Sequence, residues 1–275
     1  MPWKADLHIH SYFSDGKFSP LTILEKAEKS ELNAISITDH DSVNGIEVAL
    51  KNCKKYGIEV IPGIEFSCDM NGKEIHILGY FIDYENKILQ EYLRAFKKNR
   101  IDRIIKMIRK LNRMGSNIDA TNFVNSISNN ISIGRPHLAA EMVKEGFVKS
   151  YVEAFILYIG DGKPAFEKKK NPDIQEIIKL ISKINGLSFV AHPGKNIDVE
   201  RLNELIKYGI NGIEIYHPSH SEADTKTYME FSVNNNLLIS GGSDFHGVIK
   251  ADLRNFGKYF IGKEDVDKMR NKLSK

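Results

Sequence analysis

The stretch Asp6-Leu7-His8-Ile9-His10, followed by Asp15-Gly16 and then by Ile37-Thr38-Asp39-His40-Asp41, decides how this chain is read. Alternate residues of a strand point the same way, so His8 and His10 share a face. Two imidazoles on one face make metal-ligand geometry. Ala34-Ile35-Ser36-Ile37-Thr38 reads as a second buried strand, and it too delivers a histidine, His40, with two carboxylates at its C-terminal end. An α/β barrel collects its chemistry in this way, because the loops after parallel strands gather at one rim and the strands below hold them rigid.

Outward from that stretch the chain alternates. Ser19-Pro20 opens a helix through about Ser30, and a second helix from about Val43 to Tyr56 stops at Gly57. Glu59 to Glu65 then reads as a strand that presents Glu65 at its end after Pro62-Gly63. The order β, α, β, α, β is the signature of a parallel sheet. His76 lies in an apolar strand, Lys73 to Phe81, that a hairpin would bring beside Glu65. Alternation resumes at Pro172, with strands ending in His192, in Tyr216-His217-Pro218-Ser219-His220 and in Ser243-Asp244-Phe245-His246. Asp244 and His246 repeat the same-face pattern of His8 and His10. Nine candidates therefore sit at strand or loop ends: His8, His10, Asp15, His40, Glu65, His76, His192, Asp244 and His246. So many mixed imidazole and carboxylate donors exceed what one zinc needs and suit two or three ions, with Glu65 or Asp244 bridging.

Between the two alternating regions the period changes. Residues 86–114 carry apolar side chains at helical spacing among many Lys and Arg, and further helical stretches follow near 119–126, 135–145 and 150–157. We expect a barrel domain formed by residues 1–82 and 169–275 and a mostly helical insertion, or cap, at 83–168. Gly134-Arg135-Pro136-His137 opens one of the insertion helices, where a guanidinium and free backbone N–H groups suit phosphate. Gly160-Asp161-Gly162-Lys163-Pro164 is a second basic loop. Arg135, His137, Lys163 and His217 are the candidate substrate-binding residues.

The 275 residues suffice for one large domain with an insertion, and 41% hydrophobic with 27% charged residues reads as globular. Lys+Arg 39 against Asp+Glu 36 leaves +3, which excludes binding duplex DNA by bulk charge and leaves room for a local basic groove. Cys53 and Cys68 have neither the number nor the spacing of a zinc ribbon or disulfide framework. The chain starts without the apolar stretch of a signal peptide and has no run of membrane-spanning length, so a cytoplasmic protein without a membrane partner is expected.

Asp6-Leu7-His8-Ile9-His10 with Asp15-Gly16, Thr38-Asp39-His40-Asp41, Pro62-Gly63-Ile64-Glu65, Ala191-His192-Pro193 and Ser243-Asp244-Phe245-His246 resemble the successive motifs of the PHP (polymerase and histidinol phosphatase) superfamily. The insertion motifs and Tyr216 to His220 resemble its TrpH/YciV branch, whose members include 3′,5′-nucleoside bisphosphate phosphatases and a 5′→3′ exoribonuclease. The resemblance implies a distorted (β/α)7 barrel with a trinuclear site of manganese, zinc or iron. It implies that His8, His10, Glu65 and Asp244 hold one ion, that Glu65, His76 and His192 hold a second, and that Asp15, His40 and His246 hold a third. Such a cluster lowers the pKa of a shared water so that it attacks phosphorus at neutral pH. Arg135, Lys163 and His217 would then neutralise phosphoryl oxygens, and His217 or His220 would protonate the leaving alkoxide.

The expected function is a metal-dependent phosphoesterase acting on a phosphorylated nucleotide or short RNA. Two alternatives stand beside it: a histidinol-phosphate phosphatase or other small phosphomonoesterase, and a non-catalytic metal-binding module of the kind found within polymerases.

Overall fold

The computed structural model describes residues 2–127, 131–194 and 197–274. It divides into two compact units, residues 1–90 with 171–275, and residues 91–170. The division falls inside the long helix that begins at Lys87, whose Leu89 is fully buried.

The first unit is a mixed α/β structure. A parallel sheet of β1 (Ala5–Ile9), β2 (Ala34–Ile37) and β3 (Glu59–Val60) stands beside a second sheet ordered β4 (Gly63–Met70), β5 (Lys73–Tyr80), β6 (Leu187–Val190), β7 (Gly212–Tyr216) and β8 (Leu238–Gly241). β6, β7 and β8 run parallel, while β4 and β5 form an antiparallel hairpin and β5 meets β6 antiparallel. Single bridges join the sheets at both edges, Ile9 to Phe245 beyond β8 and His40 beyond β2 to Glu65 in β4. The strands therefore close into a ring, and the hairpin is its distortion.

That hairpin corrects one expectation. Glu65 is not the end of the strand that begins at Glu59; it is the third residue of β4. Pro62 has no N–H to continue the β3 ladder. A Cβ on Gly63 would stand 2.2 Å from Ser36 Oγ, so the close crossing past β2 requires glycine there.

Helices cover the ring as their apolar faces dictate. α1 (Pro20–Lys29) starts at Ser19, whose hydroxyl accepts the Thr22 N–H, and it buries Ile23, Leu24 and Ala27 against Ile9, Ile35 and Ile37. α2 (Asn44–Asn52) follows β2. Inside the ring Leu7, Leu78, Tyr80 and Phe189 pack with Val266 and Met269. The last two belong to the C-terminal helix, and Ile261 just before it bridges to Ala5.

The second unit is helical. α3 (Lys87–Asn112) enters it and buries Ile104, Met107, Ile108 and Leu111, one face at i, i+3, i+4, i+7. They pack with Phe123 of α4 (Ala120–Ser126) and with Leu138, Ala139 and Met142 of α5 (Arg135–Lys144). α6 (Tyr151–Ala154) runs into a wide turn at Phe155–Ile159, and no strand lies among the described residues of this unit. The chain returns to the first unit through α7 (Ile174–Lys183), α8 (Val199–Tyr208), α9 (Glu222–Asn234), α10 (Lys250–Asn255) and α11 (Lys263–Leu273), one after another between and beyond the later strands.

Candidate metal centre

All nine predicted donors converge at one end of the strand ring, and Glu65 is the point of convergence. Glu65 Oε2 lies 3.3 Å from His8 Nε2 and 3.3 Å from His10 Nε2, while Asp244 Oδ1 lies 3.3 Å and 3.1 Å from the same two nitrogens. Donors held tetrahedrally at about 2.0–2.1 Å from one ion stand about 3.3–3.4 Å apart, so these four atoms have the spacing of a single coordination shell. The other Glu65 oxygen, Oε1, faces His76 Nδ1 at 2.9 Å and His192 Nε2 at 3.0 Å. One carboxylate thus addresses two donor sets.

A third set gathers at Asp15. His246 Nε2 is 3.3 Å from Asp15 Oδ1, His10 Nδ1 is 3.8 Å from it, and His40 Nε2 is 3.9 Å from Oδ2. His10, Asp15, His40 and His246 each offer one atom within 4.8 Å of the others. His10 therefore reaches two sets, and His40 also turns Nδ1 to Glu65 Oε2 at 3.0 Å. A pocket of about 160 Å³ opens beside His76 and His192.

These residues fit divalent ions on two further grounds. His8 Nε2, His10 Nδ1 and Nε2, Asp15 Oδ1, His40 Nδ1 and Glu65 Oε2 are buried with no hydrogen-bond partner among the described residues. Orphaned polar atoms rarely survive burial, and here they all face one another. The charges lead to the same answer. Burial pushes the carboxyls up, yet His40, His76 and His8 hold Glu65 well below its usual range, and neighbouring histidines do the same for Asp15 and Asp244. Burial also depresses the imidazoles, but Glu65 raises His76 to about 10, and Asp15 with Asp244 raises His246 to about 10. Without cations the carboxylates recruit protons on histidine, and metal ions would take over that countercharge.

The surrounding shell contains a residue that the motif reading missed. Glu214, fully buried in β7, accepts from His8 Nδ1 at 2.9 Å and from the His192 backbone N–H at 2.7 Å. The first bond sets the tautomer that turns His8 Nε2 toward Glu65 and Asp244. A lone acid inside Gly212-Ile213-Glu214-Ile215-Tyr216 is the signal that was available, since strand interiors seldom bury an unpaired charge. Asp39 was named in a motif without a role. It accepts from the Ser11 N–H and hydroxyl at 2.7 and 2.6 Å and from the Ser14 hydroxyl at 2.6 Å, which pins the loop leading to Asp15. Asp6 likewise accepts the Ser243 N–H at 2.9 Å, next to Asp244. His192 and Asp244 hold φ values of 27° and 48°, the left-handed strain common at functional sites.

The candidate assistants separate. His217 is buried, its Nε2 lies 3.3 Å from Asp244 Oδ2, and its Nδ1 accepts the Ser219 N–H at 3.1 Å, so its proton sits on Nε2. His220 is not placed to protonate a leaving group. Its Nδ1–H donates to Ile215 O at 2.8 Å and its Nε2 accepts the Gly194 N–H at 3.1 Å, so both nitrogens hold backbone.

Arg135, His137 and Lys163 belong to the insertion. Arg135 pairs with exposed Asp161 at 2.5 Å and stands over the rings of Phe155 and Phe166. His137 Nδ1 accepts the Gly134 N–H at 3.1 Å, which caps its own helix. Lys163 is exposed on its loop.

The PHP domain family model matches residues 6–208. The chain is 31% identical to a 5′-3′ exoribonuclease of Haemophilus influenzae, over 90% of this chain and 91% of that one. It is 29% identical to a 3′,5′-nucleoside bisphosphate phosphatase of Chromobacterium violaceum, over 88% and 86%. Among solved structures, one from Bifidobacterium adolescentis shares the fold at a TM-score of 0.88 and 24% identity, covering 98% and 96%. An amidohydrolase from Chromobacterium violaceum, solved with sulfate bound and no metal, superposes at 0.82 with 27% identity over 95% and 92%. On the strength of its family match and its full-length relatives, this chain belongs to the PHP domain family.

Proposed function

We propose that this protein is a metal-dependent phosphoesterase that hydrolyses phosphate esters of nucleotides, in the manner of a 3′,5′-nucleoside bisphosphate phosphatase or a 5′→3′ exoribonuclease. The observation that carries the reading is Glu65, a buried ionised carboxylate whose two oxygens face two histidine sets. In this reading the nine donors hold two or three divalent ions, of manganese, zinc or iron. Bound there, the ions supply an activated water and Lewis acidity toward phosphoryl oxygen.

The chain's own residues do the rest. His8 and His10 are fixed by strand packing, His8 further by Glu214, so the donors are organised before substrate arrives. His217 carries a proton on Nε2 beside Asp244, which suits it to protonate a leaving alkoxide or to bind a phosphoryl oxygen. In the insertion, Arg135 serves a substrate phosphate by exchanging Asp161, an exposed and weakly held partner, and Lys163 adds a second cation. The mixed nucleotide and RNA activities carried by its relatives' names support the substrate class.

The test compares phosphate release from adenosine 3′,5′-bisphosphate, nucleotide release from 5′-phosphorylated short RNA, and phosphate release from histidinol phosphate, each with manganese and with chelator. Turnover of either nucleotide substrate that chelation abolishes is expected. Preference for histidinol phosphate would move the protein to the small-phosphomonoester branch, and no turnover of any substrate would leave a metal-binding module.

A further inference from the structure

Charge is unevenly divided along this chain. Residues 91–170 hold 16 Lys and Arg against 8 Asp and Glu, while the remainder holds 23 against 28, so a chain of net +3 consists of a +8 insertion and a −5 barrel unit. A basic helix face is ordinarily just solvated. Here the cations surround a recess.

The recess, of about 270 Å³, lies between the outer face of α3 and the segment 167–170. Arg103, Lys106 and Arg109 line one wall, Lys168 and Lys170 the other. The walls are tied together. Arg103 Nε donates to the Glu167 carbonyl oxygen at 2.7 Å, and its guanidinium stands 5.8 Å from the centre of the Phe166 ring. The Glu167 carboxylate meets Lys110 at 2.9 Å and Lys106 at 3.5 Å. Those contacts hold the segment along the helix, so the remaining cations are positioned before any ligand arrives. Arg109 and Lys170 are exposed and have no ion-pair partner among the described residues. Two acids, Asp102 and Glu167, also line the recess, which leaves it positive.

We propose that this recess binds the sugar–phosphate backbone of a single-stranded nucleic acid. Arg103, Lys106 and Arg109 follow one another at about 4.5 Å along the helix axis. Successive phosphates of a stacked strand rise about 3.4 Å along its axis and stand farther apart than that in space, as side chains projecting from successive turns of a helix also do, so cations repeated along the helix suit neighbouring phosphates. A recess of this size admits one backbone unit at a time, as a flexible strand presents it, and does not admit the rigid cylinder of a duplex. The choice of nucleic acid over an acidic peptide rests on the proposed nucleotide function. The recess itself does not.

The test uses the full chain in chelator, where nothing is hydrolysed, with a fluorescent single-stranded RNA of about 12 nucleotides. The wild type should bind with log Kd rising linearly with log salt. Arg109→Glu with Lys170→Glu should weaken binding roughly tenfold and flatten the salt slope by about 1.4. The double alanine variant should show the same change to a smaller degree. Manganese-loaded turnover of adenosine 3′,5′-bisphosphate should be unchanged in both. An equal loss for single-stranded DNA shows that backbone alone is read, and a loss confined to RNA adds a contact to the 2′-hydroxyl. Unaltered RNA binding in the variants, or a poly-glutamate peptide bound as tightly as RNA, would overturn the proposal. If the wild type turns over no phosphate ester while the binding pattern holds, the phosphoesterase reading fails and the recess stands.

Discussion

Glu65 faces five imidazoles, those of His8, His10, His40, His76 and His192, all within 3.3 Å of one or the other of its oxygens. This concentration sets a proton balance that can be measured. His76 and His246 are raised from 6.5 to about 10 in the ion-free protein, so the stability they contribute is complete below about pH 6.5 and is lost as pH rises through 10. Metal needs the neutral imidazole. Manganese added to chelator-treated protein near neutral pH should therefore release protons, with apparent affinity rising toward pH 10, and a titration in weak buffer that shows no release would refute the assignment. Glu214 makes a second prediction. Its replacement by Gln leaves the fold intact but removes the charge that orients His8, and manganese affinity measured calorimetrically should drop about 10- to 100-fold. An unchanged affinity would reduce Glu214 to a packing residue.

At the scale of elements, much of the centre was legible because a strand imposes a period of two. His8 with His10 could be paired from spacing alone, whereas Asp244 and His246 lie beyond the end of β8, with Asp244 at φ 48°, and face different donor sets, so the strand period read into that pair does not hold. Glu65 was found as a donor but placed on the wrong strand, since Pro62-Gly63 reads equally as a turn after a strand or the entry to a hairpin. Glu214 was marked only as an acid inside an apolar strand, and the partners of Glu214, Asp39 and Asp6 were not legible, because each lies tens or hundreds of residues away. His220 misled for the opposite reason: both its nitrogens hold backbone groups close by in the loops, partners that any loop histidine can find. The helices α10 and α11 went unread, and their short apolar faces explain it, with only Val266 and Met269 fully buried in α11. One element-scale prediction concerns the approach of the loop after β8 to β1. A Cβ on Gly242 would stand 2.3 Å from the His8 Cβ and 2.4 Å from its backbone N. Gly242→Ala should cost about 1–3 kcal/mol in thermal denaturation and weaken metal binding as His8 shifts, whereas wild-type stability and metal content would show that the loop yields freely.

Across the whole molecule, the cluster and the basic recess belong to different units. Net charge concealed that division, since +8 and −5 sum to an unremarkable +3. Ion binding should raise the melting temperature of the chain, by about 2.7 kcal/mol of stabilisation when free manganese is a hundred times its dissociation constant. A melting curve indifferent to chelator would show that the orphaned donors find no ion. The most direct measurement is metal content and phosphate release, side by side, for the wild type and Glu65→Gln. The prediction is that the variant keeps its circular dichroism spectrum, loses bound metal, and loses turnover of adenosine 3′,5′-bisphosphate and 5′-phosphorylated RNA by at least about a thousandfold, as expected when the carboxylate that faces both donor sets is removed. Full metal content with undiminished turnover in Glu65→Gln would contradict it.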